Sequence, residues 1–519
     1  MTEKLSLEQQ HAFTRYRLGY NLFITGSGGT GKSYLIRTIK KDLEERGIKH
    51  AVCALTGCAA VLLNCYAKTI HSWSGIGIAA GSKEDIVNKA IRNKRAMSEW
   101  KTTKVLIVDE ISMMSLKIFE AIDLIGKSAR AQYMRPFGGM QIIFLGDFYQ
   151  LPPVSRTEET QFCFESPVWK QTFTIENHIY LKTLYRQRDA KFIRILNEVR
   201  DGSLTEESLN DLNVRLNTKY DPTTNNGIVP TKLFPRNIDA DRVNQKMYAK
   251  LDGDEEKYDL EQVTNLVAYD ETGIPIPTEI MQRCLALNHE DVETQMKLFC
   301  ENSNLVQSLS LKKGAVVMCL ANLDTDAGIC NGSQGIVVDF KIVKNRLVPV
   351  VQFLNGITMT IAPRVYQHGD YPKYGIIQVP LRLAWAFTIH KSQGVTLDLG
   401  EIDIGSNIFE FGQTYVALSR IRSLEGLYLS SFNPRKIKTN PLVSEFYKTI
   451  PEITESVAAK TKETLDIFEN RNGDVGGGSA PSFSSVPSSI NNNYTVGMPN
   501  AAGSPYKSVK VIKLDTNPQ

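Results

Sequence analysis

The octapeptide GSGGTGKS, Gly26 to Ser33, follows the apolar run NLFIT without a gap and restricts the fold more tightly than any other stretch. Gly26, Gly28 and Gly31 spell G-x-G-x-x-G, so a dinucleotide-binding turn and a P-loop both fit at first. The dinucleotide reading requires an acidic residue closing the next strand, roughly 20 residues on. That strand, HAVCALTG, contains none. Lys32 and Ser33 directly after the last glycine satisfy the P-loop instead. In such a loop the backbone of Gly26, Ser27, Gly28, Gly29, Thr30 and Gly31 curls round the phosphates of ATP, Lys32 reaches the β and γ oxygens, and Ser33 ligates Mg2+. The following helix adds its positive N-terminal end.

Four apolar runs, YNLFIT, HAVCAL, KVLIVDE and MQIIFLGD, end in small or acidic residues and alternate with helical or irregular stretches. This is the pattern of a parallel sheet with ligand-binding loops at the carboxyl ends of its strands. A second α/β unit is expected to begin near FTIENHIYL with the helix DAKFIRILNEVRDG, and to resume at QVPLRLAWAFTIHKSQG and FGQTYVALSRIRS. Between them, Asp254 to Lys373 carries short Val- and Ile-rich runs bounded by Gly and Asn turns, which predict a small β-barrel-like insertion.

With 519 residues, 42% of them hydrophobic, the chain can bury more than one core. Its formal net charge of only +4 means that a polyanion must be held by local basic patches. The eight cysteines (53, 58, 65, 163, 284, 300, 319, 330) show no metal-binding spacing and read as buried free thiols of a reducing compartment. Neither an apolar signal core nor a membrane-length apolar run is present, so a soluble intracellular protein is expected. From about Asn472 the chain turns rich in Gly, Ser, Pro and Asn and is expected to be disordered. Its closing YKSVKVIKL is a candidate docking peptide for a protein partner.

In KVLIVDE, Asp109 can hold Mg2+ through water and Glu110 can activate the attacking water, which with the P-loop makes a hydrolysis site. GDFYQLPPV closes the next strand of the same sheet. Its Gln150 offers an amide that can bond the γ-phosphate or the water without neutralising either. Pro152 and Pro153 then fix the backbone, so a movement at Gln150 is passed on.

These stretches, with LSLEQQHAF, ALTGCAA, TIHSWSGIG, VLIVDEISMM, PFGGMQIIFLGDFYQLPPV, LYRQRD, LAWAFTIHKSQGVTL and GQTYVALSR, occur in the order found in superfamily 1 helicases. The set resembles the Pif family, relatives of RecD that move 5′ to 3′ on DNA, over roughly residues 5 to 435. The resemblance implies an α/β fold of two tandem RecA-like P-loop domains: residues 1–180, and 181–253 with 374–450. It also implies a small wedge insertion about 76–101, read here as one basic amphipathic helix, an SH3-like β-barrel insertion at 254–373, and a tail from 451. It places Gln9 at the adenine and brings Arg186 and Arg420 to the γ-phosphate from the second half. Contacts to single-stranded DNA fall on Thr56, Gly57, His71, Trp73, Thr388, His390 and Lys391, with Trp73 equally readable as a core residue.

The implied activity is ATP-dependent unwinding of single-stranded and forked DNA in replication, repair, recombination or telomere maintenance, within a DNA-containing compartment and with a monomer sufficient. An RNA helicase of the same superfamily and a non-unwinding P-loop subunit of a recombination complex stay open as alternatives.

Overall fold

The structure is a computed structural model. It describes residues 5–473 except 57–58, 61–62, 64–66, 78, 80, 154–160, 222–228, 265–281, 283, 303–304, 322, 325–326, 330, 344, 369–370 and 372. The expected disordered tail and docking peptide lie outside the described residues.

Six strands form the first sheet: β1 (Leu22–Gly26), β2 (His50–Ala54), β3 (Lys68–Thr69), β4 (Val105–Asp109), β5 (Gln141–Leu145) and β6 (His178–Leu181). They are ordered β3-β2-β4-β5-β1-β6, and every pairing is parallel. The continuous apolar runs of β1, β4 and β5 are buried along their whole length, as strands covered on both faces require. Alternate residues serve opposite faces. Leu22 and Ile24 join Leu35, Ile36, Ile39 and Leu43 of the helix Lys32–Glu45. Phe23 points the other way, to Phe119, Ile122 and Ile125 of the helix Leu116–Arg130. All six strands run the same way, so the P-loop, the Asp109–Glu110 pair and the Gln150 turn emerge along one edge.

The second half opens with the helix Ala190–Asp201, which ends on Gly202 in the left-handed region (φ 73°), and continues into β7 (Thr231–Phe234). The chain then makes an excursion through β8 (Glu256–Asp259), β9 (Glu261–Val263), β10 (Ser308–Leu311), β11 (Val316–Cys319), β12 (Gln334–Val343), β13 (Arg346–Phe353), β14 (Thr358–Thr360), β15 (Arg364–Gln367), β16 (Gly375–Gln378) and β17 (Leu381–Leu383). It returns as β18 (Ala386–Thr388), β19 (Gly400–Ile404) and β20 (Leu427–Phe432). The second parallel sheet is β18-β7-β19-β20. The excursion holds a five-stranded antiparallel sheet, β14-β13-β12-β11-β17, beside a three-stranded and a two-stranded one.

Two expectations are corrected. The run FTIENHIYL does not start the second unit: its strand β6 adds to the first sheet, with Phe23 facing His178 and Ile24 facing Ile179. A short apolar strand carries no mark of its partner, so its pattern fits either sheet. Residues 83–102 are two helices, Lys83–Arg92 and Lys94–Thr102. Asn93 leaves the helical region (ψ 96°), and its side chain accepts from the Arg95 and Ala96 amides at 3.1 Å, capping the second helix. Cys53, Cys163, Cys284, Cys300 and Cys319 are buried, while Cys58, Cys65 and Cys330 lie outside the described residues.

Candidate ATP site and nucleic-acid interface

Gly26 to Gly31 turn from β1 into the helix Lys32–Glu45, so the helix N-terminus opens directly on the loop, an arrangement suited to an anion. The Lys32 ammonium donates to the carbonyls of Gly26 at 2.7 Å and Ser27 at 3.0 Å. Burial pulls it below the ordinary lysine value, against the opposing charges of Asp147, Glu110 and Asp109. The Thr30 hydroxyl donates to Ser27 O at 2.9 Å and braces the loop from inside. Gln9 donates to Thr30 O at 3.3 Å, and its own carbonyl accepts from Ser6 N at 3.0 Å. Gln9 thus supports the loop, with the ring of Tyr185 beside it (hydroxyl to Gln9 Oε1, 3.5 Å).

Asp109 ends β4 and accepts from Glu110 N at 2.9 Å. Burial and then the neighbouring Glu110 charge raise its carboxyl to about 7, with Lys32 opposing. Glu110 itself stands at φ 56°, a conformation that costs a non-glycine residue on the order of 1–3 kcal/mol and clusters at functional sites. Its carboxylate accepts from Gln393 Nε2 of the second half at 3.1 Å.

Arg186 and Arg420 both lie against the P-loop. A Cβ built on Gly28 would lie 3.4 Å from Arg420 Nη2 and 3.6 Å from Arg186 Nη1, so both guanidinium groups overhang the P-loop. Arg186 donates to Ser419 O at 3.1 Å, and Arg420 Nη2 donates to Ser419 Oγ at 2.7 Å, which orients the two side by side. Burial and then Arg420 pull Arg186 down to about 9, leaving it charged at neutral pH. At Gly29 (φ 94°) a Cβ would come within 2.6 Å of Arg186 Cβ, so the close approach of that side chain requires glycine.

Gly28, Lys32, Ser33, Asp109, Glu110, Gln150, Arg186 and Arg420 line one cleft of about 670 Å³. Thr56, His390 and Lys391 line the same cleft. The structure therefore joins the expected hydrolysis groups to three of the expected DNA contacts. Thr388 is buried and caps the Lys391 amide at 3.3 Å, and His71 sits on the short helix Ile70–Ser74. Burial lowers both His71 and His390, so at neutral pH they offer neutral rings while exposed Lys391 supplies charge. His390 lies nearly parallel to exposed Phe409, 6.3 Å between centroids at 14°.

Trp73 is placed elsewhere: it is 4% exposed with its ring 4.6 Å from that of Trp100, a packing position rather than a stacking platform. Gly57 lies outside the described residues. Sequence reasoning passed over Gln393, although it stands inside the quoted HKSQG, and Tyr415, inside GQTYVALSR. The buried Tyr415 hydroxyl accepts from the P-loop amide Gly28 N at 3.0 Å.

Two α/β halves, with a P-loop in the first and the Arg186 and Arg420 guanidinium groups overhanging it, define a protein of tandem RecA-like type. Comparison with known proteins narrows this. The family model of PIF1-like helicase matches residues 4–210, and that of the DNA helicase Pif1 2B domain matches residues 301–340. ATP-dependent DNA helicase Pif1 of Bdellovibrio bacteriovorus is 35% identical over 86% of this chain and 92% of its own. ATP-dependent DNA helicase PIF1 of Xenopus laevis is 36% identical over 86% of this chain, which spans 64% of that relative's length. Among solved structures, Pif1 helicase from Candida albicans superposes with a TM-score of 0.65 at 36% identity, covering 86% of this chain and 100% of that one. Pif1 helicase from Bacteroides in complex with ADP-AlF3 and single-stranded DNA gives 0.54 at 27%, covering 86% and 97%. The chain belongs to the PIF1-like helicase family.

Proposed function

We propose that this chain is an ATP-dependent DNA helicase that moves 5′ to 3′ along single-stranded DNA and separates the duplex ahead of it. The observation that carries this is the single cleft in which Arg186 and Arg420 overhang the P-loop while Thr56, His390 and Lys391 line the same opening. The complex of the Bacteroides relative with ADP-AlF3 and single-stranded DNA supports it.

In this reading the P-loop amides and Lys32 hold the β and γ phosphates. Ser33 and Asp109 are the residues that would hold Mg2+, whose charge stabilises the transferring phosphoryl group. The donor set fits an ion that arrives with the nucleotide: no cluster of three or more ligating side chains exists among the described residues, and Mg2+ bound with phosphates keeps water and uses one or two protein oxygens. Glu110 orients the attacking water, held in place by Gln393. Gln150 reads the γ position, and Arg186 with Arg420 stabilises transition-state charge only when the cleft is closed. Thr56, His71, His390 and Lys391 grip the DNA backbone from both halves, with buried Thr388 holding the Lys391 amide from beneath, so closing and reopening the cleft alternates the grip.

The test is ATP turnover by the purified chain with DNA and RNA oligonucleotides. DNA is expected to stimulate turnover more strongly than RNA, and Lys32→Ala to abolish turnover while single-strand binding persists. Equal stimulation by RNA, or turnover surviving in Lys32→Ala, would refute the reading.

A further inference from the structure

Beneath the cleft, the ends of β1, β5 and β6 converge on a buried polar cluster that none of the roles above uses. Asp147 follows β5 and is fully buried. Its carboxylate accepts from Arg200 Nη2 at 2.8 Å and Nε at 3.2 Å, and from the Tyr447 hydroxyl at 3.0 Å. Arg200, 6% exposed, donates through Nη1 to the Tyr180 hydroxyl at 3.2 Å and lies over the rings of Tyr149 and Tyr447 at 4.1 and 5.1 Å. The Tyr447 oxygen also accepts from Phe148 N at 3.0 Å and pairs with Thr25 Oγ1 at 2.6 Å. With its one proton given to Asp147, it accepts the proton of Thr25, and its bonding capacity is filled. Burial alone would push the Asp147 carboxyl up, but the Arg200 charge and hydrogen bonds, then Lys32, hold it below the usual carboxylate range.

A buried ion pair is weak evidence for stability, so what matters is what this one connects. Thr25 immediately precedes P-loop Gly26. The Asp147 carbonyl accepts from Gln150 N at 2.9 Å and thereby sets the turn that carries Gln150. Arg200 belongs to the first helix of the second half, and its own carbonyl accepts from Thr439 Oγ1 at 2.9 Å. Tyr447 comes from the helix Pro441–Lys448, whose Phe446 packs on Phe148, Phe164 and Trp169 of the first half. On the cleft side the halves meet across an opening of about 670 Å³, bridged by side chains such as Gln393 on Glu110 and Tyr415 on Gly28. One side of the junction is dense and saturated, and the other is open.

We propose that Asp147, Arg200 and Tyr447 form the pivot on which the second half turns against the first, acting as positioning residues that hold the Gln150 turn and the P-loop strand in register as the cleft closes. This rests on the reading of the chain as a DNA-stimulated ATPase.

Tyr447→Phe in the full chain keeps the ring and removes only the hydroxyl. The expected result is DNA-stimulated turnover lowered about tenfold, with DNA-independent turnover and the KM for ATP within about twofold of wild type, the size of effect that follows loss of one hydrogen bond to a charged group. Arg200→Lys, which keeps the charge but loses the two-pronged contact, is expected to show the same selective loss and serves if the first variant fails to fold. A proportional fall of both turnovers together with a lowered melting temperature would reduce the cluster to a structural role, and unchanged DNA stimulation in both variants would equally overturn the proposal. Wild-type protein without DNA stimulation would instead refute the helicase reading.

Discussion

Gly412 offers a test of how the two halves communicate. It begins the GQTYVALSR segment in the left-handed region, at φ 69°, where a built Cβ would lie 2.3 Å from Tyr149 O and 2.6 Å from Gln150 O. Gly412→Ala therefore carries two penalties. The backbone conformation costs alanine on the order of 1–2 kcal/mol. The clash must also open to ordinary contact, which begins at 3.4 Å, so the Gln150 turn and the helix Gln413–Leu418 separate by about 1 Å. That helix leads directly to Arg420, whose Nε donates to Val416 O at 2.9 Å. A misplacement of about 1 Å can cost on the order of 100-fold in rate when geometry sets the barrier. The variant is expected to lose about 100-fold in DNA-stimulated kcat while nucleotide affinity changes by less than about threefold, since the P-loop gives up at most its Tyr415 contact and keeps the Thr30 and Lys32 bonds that brace it. Turnover and equilibrium binding of a fluorescent nucleotide measure both quantities. A variant that retains half or more of the wild-type kcat would show that the contact between Gly412 and the Gln150 turn carries no coupling.

Trp73→Ala is expected to cost about 3–5 kcal/mol of stability in denaturant titration, as for a buried aromatic ring. Trp73→Phe should leave single-strand affinity nearly unchanged, and a large affinity loss without destabilisation would restore Trp73 as a DNA contact. His11 is buried, with its ring lowered to about 4 by burial and then by Arg15. Between its ordinary 6.5 and about 4 the unfolded chain takes up a proton that the folded chain refuses, so stability falls as pH drops through that window. His11→Gln should flatten that slope in thermal melts at pH 7 and 4.5, and an unchanged slope would refute the assignment.

Much of the candidate site was legible because a phosphate cradle is built from consecutive residues: Gly26 to Ser33 fold back on themselves, and the pattern holds both the residue types and their spacing. Asp109 and Glu110 were legible for a related reason, since a strand of a parallel sheet ends where ligands bind. The four apolar runs reported their strands because burial on both faces demands unbroken hydrophobicity. Their neighbours were not written locally, so β6 was grouped with the wrong unit. The Asn93 break rests on one side chain turning back to cap two amides inside a stretch whose helical periodicity continues across it. Arg186 and Arg420 came through the family resemblance, since neither position alone separates a finger from a surface ion pair. Asp147 and Arg200 were invisible for the deeper reason that an aspartate and an arginine far apart in sequence become meaningful only when a fold buries them together. Trp73 was balanced between core and DNA, and its 4% exposure places it in the core.

Strand separation of duplexes carrying a single-stranded tail at either the 5′ or the 3′ end tests the central claim most directly. The account predicts ATP-dependent unwinding of the 5′-tailed duplex and none of the 3′-tailed one. Unwinding only from a 3′ tail, or separation that proceeds without ATP, would contradict it.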